Sequence, residues 1–439
     1  MSAPAPRALL RAVDALLLVG LALLSPLLLV RVALRDRWRR GLSERLTLRL
    51  PPPRGERRRI WVHGASAGEM TAVTALVDAW RSAEPEADFV LSSTTTAGVD
   101  VARRRAADLP CFVLPIDVSW CVSRALGRVD PEVLVLVELE LWPNLVHAAA
   151  DRGVTVAVAN GRVGERSARR LGRPWVRRLL GVERVAAWAV QNDEIAARVR
   201  SLEVPEERVA VTGNLKVEVR RDGAPTRDEV RRRLRFGAAD RVVVAGSTHP
   251  GEEARIGRAV AALAGDPGPP VRLLVAPRHG ERLADAERKL QDAGLAPVRL
   301  TRLRREEGPP ATTIVVDTMG ELADLYAAAD LAIVGGSLVA GIGGHNVFEP
   351  VLAGAPTLIG AHHGNVRSDV LWLEAAGALR VVRDDDALLP ALREWLGEGG
   401  PAAADAARRA LDGARGAAER TIRWIRDHRS RRAEPPVDG

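Results

Sequence analysis

Residues 60 to 69 read Ile60-Trp61-Val62-His63-Gly64-Ala65-Ser66-Ala67-Gly68-Glu69. A short apolar run ends at His63, small residues permit a tight turn, and a helical pattern opens near Gly68 or Glu69. An apolar run turned directly into a helix is the first half of a parallel α/β unit. The alternation repeats at residues 89–92, 111–114, 133–137, 154–159, 186–190 and 209–212. These runs are rich in Val and mostly free of charge, as strands buried on both faces are. Helix-length segments separate them.

A polar break, Arg220-Arg221-Asp222-Gly223-Ala224-Pro225, interrupts the pattern. It restarts with runs at 242–245, 273–276, 313–316, 331–334, 356–359 and 379–382. The expectation is two α/β domains of similar size that face each other across a cleft, 41–221 and 222–430, with a disordered tail at 431–439. The chain has 439 residues, 47% of them hydrophobic and 27% charged, which suits two folded domains and excludes a disordered or coiled-coil chain. Two cysteines, Cys111 and Cys121, do not staple a fold of this size, so a secreted disulfide scaffold is excluded.

Before the first domain, residues 15–30 carry no charge, and Arg31, Arg35, Arg37, Arg39 and Arg40 follow. The run is short for a membrane span and contains Pro26, a predicted kink. No small-residue cleavage site follows it, which favours an uncleaved anchor over 1–40 above a secretory signal. The apolar residues run all round the helix, which argues against a buried N-terminal helix. The denser basic flank on its C-terminal side places the body in the cytoplasm, and Trp38 suits the headgroup layer.

The net charge is +8, from 64 basic and 56 acidic residues. Such an excess serves nucleic acid, an anionic membrane or an anionic substrate. Nucleic acid is the least supported: the chain has no helix-turn-helix, zinc-finger or RNA-recognition signature, and only one Tyr and four Phe for base stacking. Of the basic residues only Lys216 and Lys289 are lysines. In a chain that has drifted to arginine, a lysine that remains marks a position where Arg is a poor substitute.

Ligands of such folds collect at the carboxyl ends of the strands. After the first strand come Ser66 and Glu69, the latter either an ordinary helix-start residue or a base. A carboxylate at a helix N-terminus is expected to have a lowered pKa and to stay ionised. After the fourth comes Glu138-Leu139-Glu140, two acids on one side of an extended chain, read as facing a cleft or as a salt-bridged strand end. Asn160 and Arg162 follow the fifth strand, and Gly213-Asn214-Leu215-Lys216 the seventh. In the second domain come Ser247-Thr248-His249, Pro277-Arg278-His279, and Asp317 to Glu321. Gly335-Gly336-Ser337 leads on to Gly343-Gly344-His345-Asn346-Val347-Phe348-Glu349-Pro350. The glycine turns are expected to offer backbone N–H groups to a phosphate, and Glu349 to take ribose hydroxyls. Asp384-Asp385-Asp386 reads as an N-cap cluster and His362-His363 as a loop pair. No set of residues has metal-site spacing.

Taken in order, these motifs resemble the Kdo (3-deoxy-D-manno-octulosonic acid) transferases. The match runs through His63…Ser66…Gly68-Glu69, Glu138 to Asn144, Asn160-Gly161-Arg162…Glu165-Arg166-Ser167 and Gly213 to Lys216. It continues through Ala245 to His249, Pro277 to His279, Met319-Gly320-Glu321-Leu322 and residues 335–350. The resemblance implies a GT-B glycosyltransferase of two Rossmann-like domains with an N-terminal membrane-anchor helix. It implies inverting transfer of Kdo from CMP-Kdo to a lipid A precursor at the cytoplasmic face of the inner membrane, without a metal or other cofactor. On it, Glu69 is the general base, and Glu138 and Lys216 stabilise the transition state. Pro277, Arg278, Met319, Gly320, Glu321, Asn346, Val347, Phe348 and Glu349 meet the donor, with Gly336 and Ser337 in the glycine turn.

The chain departs from the family pattern in a spacer one residue longer between Ser337 and Gly343, and in Asn346-Val347-Phe348-Glu349-Pro350 where Asn-Pro-Leu-Glu-Pro is usual. A GT-B enzyme or epimerase with another sugar nucleotide, and a non-catalytic nucleotide- or glycolipid-binding relative, are the competing readings.

Overall fold

The computed structural model describes residues 6–34, 39, 41–219, 223–305 and 311–433. Two compact units divide the chain. The first comprises residues 1–220 and 414–439, the second residues 221–413.

The first unit is built on seven parallel strands. They are β1 (Arg59–His63), β2 (Asp88–Ser93), β3 (Cys111–Val113), β4 (Val133–Val137), β5 (Thr155–Gly161), β6 (Ala187–Val190) and β7 (Val209–Val211). Their order is β3-β2-β1-β4-β5-β6-β7. The Val-rich runs are strands because both faces are covered. On one face Trp61, Leu134, Leu136, Val156 and Trp188 pack together. On the other, alternate residues Ile60, Val62, Val133, Val135 and Ala157 do so.

The second unit repeats the plan with β8 (Arg241–Thr248), β9 (Val271–Pro277), β10 (Pro297–Arg299), β11 (Thr313–Val315), β12 (Leu331–Val334), β13 (Thr357–Gly360) and β14 (Leu379–Val382). The order is β10-β11-β9-β8-β12-β13-β14. The edge strand β10 is the one strand that the sequence pattern misses. It has three residues, includes a proline, and is only half-buried.

Strand order locates the binding regions. In the first unit the chain leaves β1 to one side and returns on the other at β4. In the second, β8 and β12 play those parts. Each such reversal opens a crevice at the carboxyl ends of the two strands. The turn at Ser66, residues 138–140, the turn after His249 and residues 335–345 all follow one of these four strands.

The C-terminal helix Ala417–Ala433 differs from the expected domain boundary. It packs on the first unit: Ala417, Ala418, Ile422 and Ile425 join the cluster of Ile60 and Val62. Thr421 Oγ1 donates to Thr212 Oγ1 at 2.9 Å, and Ala417 N to Glu218 Oε1 at 2.7 Å. The helix covers apolar sheet surface that the earlier residues leave open. Residues 431–433 of the expected tail lie in it; the rest of the tail lies outside the described residues, as do Arg220, Arg221, Asp222 and most of the basic flank at 35–40.

The N-terminal helix Arg7–Leu34 runs on through Pro26, where a kink was expected. Its stretch Arg7–Ser25 is long and apolar enough to cross a membrane, with mean hydropathy 2.0 and 6% of it buried. Its single acid is tied to the first unit: Asp14 Oδ1 accepts from Ser119 N at 3.2 Å and from Asn144 Nδ2 at 3.0 Å. Ser119 opens a helix, so Asp14 satisfies an N-terminal N–H that would otherwise lack a partner.

Candidate functional site

In the first unit the strand ends bring three carboxylates and a lysine together. Ser66 caps the helix Ala67–Ala83, its Oγ accepting from Glu69 N. Glu69 sits at the third helical position, so its side chain folds back over the turn, as in a capping box. Oε2 accepts from Ala65 N at 2.7 Å and Oε1 from Ser66 Oγ at 2.9 Å. Each oxygen keeps a second lone pair.

The expected lowering of the Glu69 pKa is reversed. Burial raises it most, the charge of Glu138 adds to this, the two local hydrogen bonds oppose it, and Glu140 adds a last increment; the carboxyl is pushed up to about 7. The local donors of the helix start are outweighed by burial and by two carboxylates about 70 positions away in sequence that the β1–β4 pairing brings in.

Glu138 follows β4 in a left-handed conformation, φ 65°. A non-glycine residue there is strained by about 1 kcal/mol. Its backbone N donates to Ala159 O at 3.0 Å, and its carboxylate Oε1 lies 3.2 Å from Lys216 Nζ. Asn160, also left-handed at φ 53°, stands at a bulge in the β5–β6 pairing. Bulges beside functional sites redirect side chains. The fully buried Asn160 Oδ1 accepts from Leu215 N at 2.9 Å, which fixes the turn that carries Lys216. Asn214 Oδ1 accepts from Lys216 N at 3.0 Å. Asn160 therefore positions Lys216 through the turn at Leu215. Its placement after a strand was visible in the sequence, and its task was not.

The second unit gathers its own cluster. His249 after β8, His279 after β9 and His345 after β12 meet, with the His249 and His345 Nε2 atoms 2.8 Å apart and the His249 and His279 ring centroids 5.8 Å apart. One imidazole of the close pair donates and the other accepts. Burial first, then Arg278, His249 and His279, push the His345 pKa down to about 4. Arg278 itself is exposed, its backbone N donating to Thr248 O at 3.0 Å. Pro277 ends β9 and is half-buried.

The glycine turn departs from expectation. The N–H groups of Gly336, Ser337 and Leu338 form an anion nest, but a protein carboxylate fills it. Glu252, with no exposed surface, accepts from them at 2.7, 2.9 and 2.8 Å, and from His249 N at 2.8 Å. The N–H groups of Gly336 and Ser337, expected to face a phosphate, here bond to Glu252. Ser337 Oγ also donates to Val334 O and accepts from Gly360 N. In the sequence Glu252 was indistinguishable from any acid at a helix start.

The side chains of Val347 and Phe348 are buried in the core. Asn346 is half-buried, and its Oδ1 accepts from Phe348 N at 3.0 Å. Glu349 is half-buried in the first turn of the helix Phe348–Leu352. Met319 is 86% exposed beside Gly320, whose φ of 83° favours glycine. Glu321 pairs with Arg304 at 3.1 Å, and that hydrogen bond holds its carboxyl below the usual range. Asp384, expected in an N-cap cluster, closes the turn before the helix Leu388–Trp395 instead: its Oδ1 accepts from Ala387 N at 2.8 Å, and Ala387 holds the cap position. Among the described residues no group of three or more His, Cys, Asp or Glu is disposed to hold a metal ion.

A family model described as 3-deoxy-D-manno-octulosonic-acid transferase (kdotransferase) matches residues 40–219. The chain is 35% identical over 384 residues to a 3-deoxy-D-manno-octulosonic acid transferase of Bordetella pertussis, covering 84% of this chain and 87% of that one. It is 32% identical over 396 residues to the enzyme of that name from Haemophilus influenzae, covering 86% and 89%. Among solved structures, a putative UDP-N-acetylglucosamine 2-epimerase from Listeria monocytogenes superposes with a TM-score of 0.60 at 14% identity, over 87% of this chain and 99% of that one. That likeness is one of fold, the GT-B architecture of two Rossmann-like units. By sequence over most of its length, the chain belongs to the 3-deoxy-D-manno-octulosonic acid transferases, a family of glycosyltransferases.

Proposed function

We propose that the protein transfers Kdo from CMP-Kdo to a sugar hydroxyl of a lipid A precursor, with inversion, and that Glu69 is the general base. The observation that carries this reading is the Glu69 carboxyl at the end of β1, pushed up to about 7 beside Glu138. A base with a pKa near the working pH is ionised often enough to act and basic enough to take a proton. Its oxygen removes the proton of the acceptor hydroxyl while that oxygen bonds to the anomeric carbon of Kdo. The bond from that carbon to phosphate breaks, and CMP leaves with the electron pair. Glu138 and Lys216, as a preorganised ion pair, stabilise the charge that develops.

The second unit is the proposed donor site. Arg278 supports this, as an exposed guanidinium at a strand end suited to a phosphate. Pro277, Met319, Gly320, Glu321, Asn346, Val347, Phe348 and Glu349 are its proposed neighbours. The filled nest at Gly336 turns the role of phosphate donor to side chains such as Arg278. The N-terminal helix is the proposed anchor in the cytoplasmic face of the inner membrane, where a basic protein and an anionic lipid acceptor attract each other.

The test is Kdo transfer by purified full-length protein, with CMP-Kdo generated in situ and a tetra-acylated lipid A precursor as acceptor. The wild type is expected to form product, and folded E69Q to lose at least about 100-fold in rate. An unaltered E69Q rate refutes the base; no wild-type product refutes the donor or the acceptor.

A further inference from the structure

His63 is an unusual residue for the middle of a parallel sheet. It ends the central strand β1 with no exposed surface, and its Nε2 has no hydrogen-bond partner. A buried polar atom without a partner costs about 1–3 kcal/mol, so it calls for an explanation. Glu140 Oε2 lies 4.0 Å from that nitrogen. The same Oε2 accepts from Trp142 Nε1 at 3.1 Å.

The far side of the ring narrows the chemistry. His63 Nδ1 lies 2.8 Å from Ser92 Oγ, and Trp61 Nε1 donates to that oxygen at 2.7 Å. An indole N–H only donates, so Ser92 retains its own proton and one lone pair for the imidazole. If Ser92 donates to Nδ1, Nε2 carries the imidazole proton and points it at Glu140. If Nδ1 donates instead, Nε2 is a bare lone pair, and Glu140 must hold a proton to face it without repulsion. At 4.0 Å the two atoms face each other without a hydrogen bond.

We propose that His63 and Glu140 are a positioning pair for Glu69: the imidazole carries its proton on Nε2, toward an ionised Glu140, and helps set the place of this second carboxylate against which the base must ionise. This rests on the reading of Glu69 as the base. Glu140 acts on Glu69 from the helix Ala67–Ala83, feels Glu138 from the same loop and faces His63 from β1; Glu138 in turn has Lys216 at 3.2 Å. Burial keeps the ring neutral, pushing His63 down to about 4, and burial likewise raises Glu140, with the Trp142 bond in opposition. A neutral donor held in the core fixes a carboxylate without adding a charge, as second-layer partners do in preorganised sites. Neither residue contacts the reacting atoms in this scheme.

The experiment is the pH dependence of kcat and KM for Kdo transfer by full-length wild type, E140Q, H63Q, H63L and E69Q, each checked for folding by thermal melting. E140Q removes a like charge near Glu69, so the acidic limb of kcat is expected to move to lower pH by about half a unit or more, with KM little changed. H63Q, whose amide can replace the Nε2 group, is expected to keep the wild-type limb, and H63L to displace it. A wild-type limb in E140Q overturns the proposal, and so does a wild-type limb in H63L. If H63L does not fold, E140Q decides alone. An active E69Q is a separate failure: it removes the base reading whatever E140Q does.

Discussion

Lys216 Nζ lies 3.2 Å from Glu138 Oε1, both side chains largely buried, with the lysine on the turn after β7 and the glutamate on the turn after β4. Neither turn is regular. Glu138 is held in a left-handed conformation, and Lys216 is placed by two asparagine oxygens, the buried Asn160 Oδ1 accepting from Leu215 N and the half-buried Asn214 Oδ1 accepting from Lys216 N itself. So much local structure devoted to one ion pair is easier to explain by its chemistry than by stability, since a buried pair seldom repays its desolvation.

Replacing Lys216 with Ala removes the cation and leaves Glu138 uncompensated beside Glu69. The expected outcome is a fall in kcat/KM of about 100-fold or more, as for loss of one preorganised transition-state donor. K216R keeps the charge but not the compact ammonium, and is expected to recover only part of the rate. Steady-state kinetics of the two variants check both statements.

The raised Glu69 pKa predicts how activity and stability depend on pH. A base acts when ionised, so the transfer rate is expected to fall about tenfold per unit below pH 7. For stability the sign is opposite. The folded carboxyl binds its proton more tightly than its ordinary value of 4.5, up to about 7, so stability is fully present below pH 4.5 and is lost as pH rises to about 7. E69Q carries no charge and avoids that loss. It is expected to be about 2–3 kcal/mol more stable than wild type at pH 8, with the gap closing near pH 4. Urea melts at the two pH values test this.

These particulars show what could be read in the sequence. Strands such as Val133–Val137 and Leu331–Val334 were legible to the residue, because a strand buried on both faces is a continuous apolar run. The strand-end residues were legible because the fold places ligands there. What escaped depends on partners distant in sequence. Glu69 was read from its own turn, while its ionisation is set by burial and by Glu138 and Glu140. The turn at Gly336 was read as an open nest, while Glu252, 84 residues earlier, already fills it. The helix Ala417–Ala433 shows an apolar stripe, and a stripe does not say which sheet it will cover.

Glu252 yields a third prediction. Four buried N–H groups lose part or all of their acceptor in E252Q, whose amide nitrogen donates instead of accepting. Each unsatisfied buried group costs about 1–3 kcal/mol, so a loss of about 3 kcal/mol or more is expected. Hydrogen exchange should place that loss in the second unit, with faster exchange at Gly336 to Leu338 and unchanged protection in β1 and β4.

The last prediction concerns the end of the chain. Deleting residues 415–439 is expected to destabilise the first unit, although most of that unit's residues come from the opposite end of the chain. Ile422 and Ile425 are buried against the sheet face of Ile60 and Val62. Burial of each is worth about 1.5–3 kcal/mol. The deletion also leaves Glu84, 3% exposed, without Arg426 at 3.3 Å and Arg429 at 3.5 Å, and among the described residues Arg58 at 3.8 Å is the cation that remains beside it. A buried carboxylate stripped of partners costs more than the pair contributed. Together these terms approach the whole stability of an ordinary domain. The second unit, continuous from 221 to 413, keeps all its strands. Hydrogen exchange on the truncated protein should therefore show protection lost in β1, β4 and β5 and kept in β8, β9 and β12. Protection retained in both units would mean that the first sheet is stable with that face uncovered. If it is lost as expected, the first unit cannot complete its core until the last helix has been made, after the second unit's sequence is already in place.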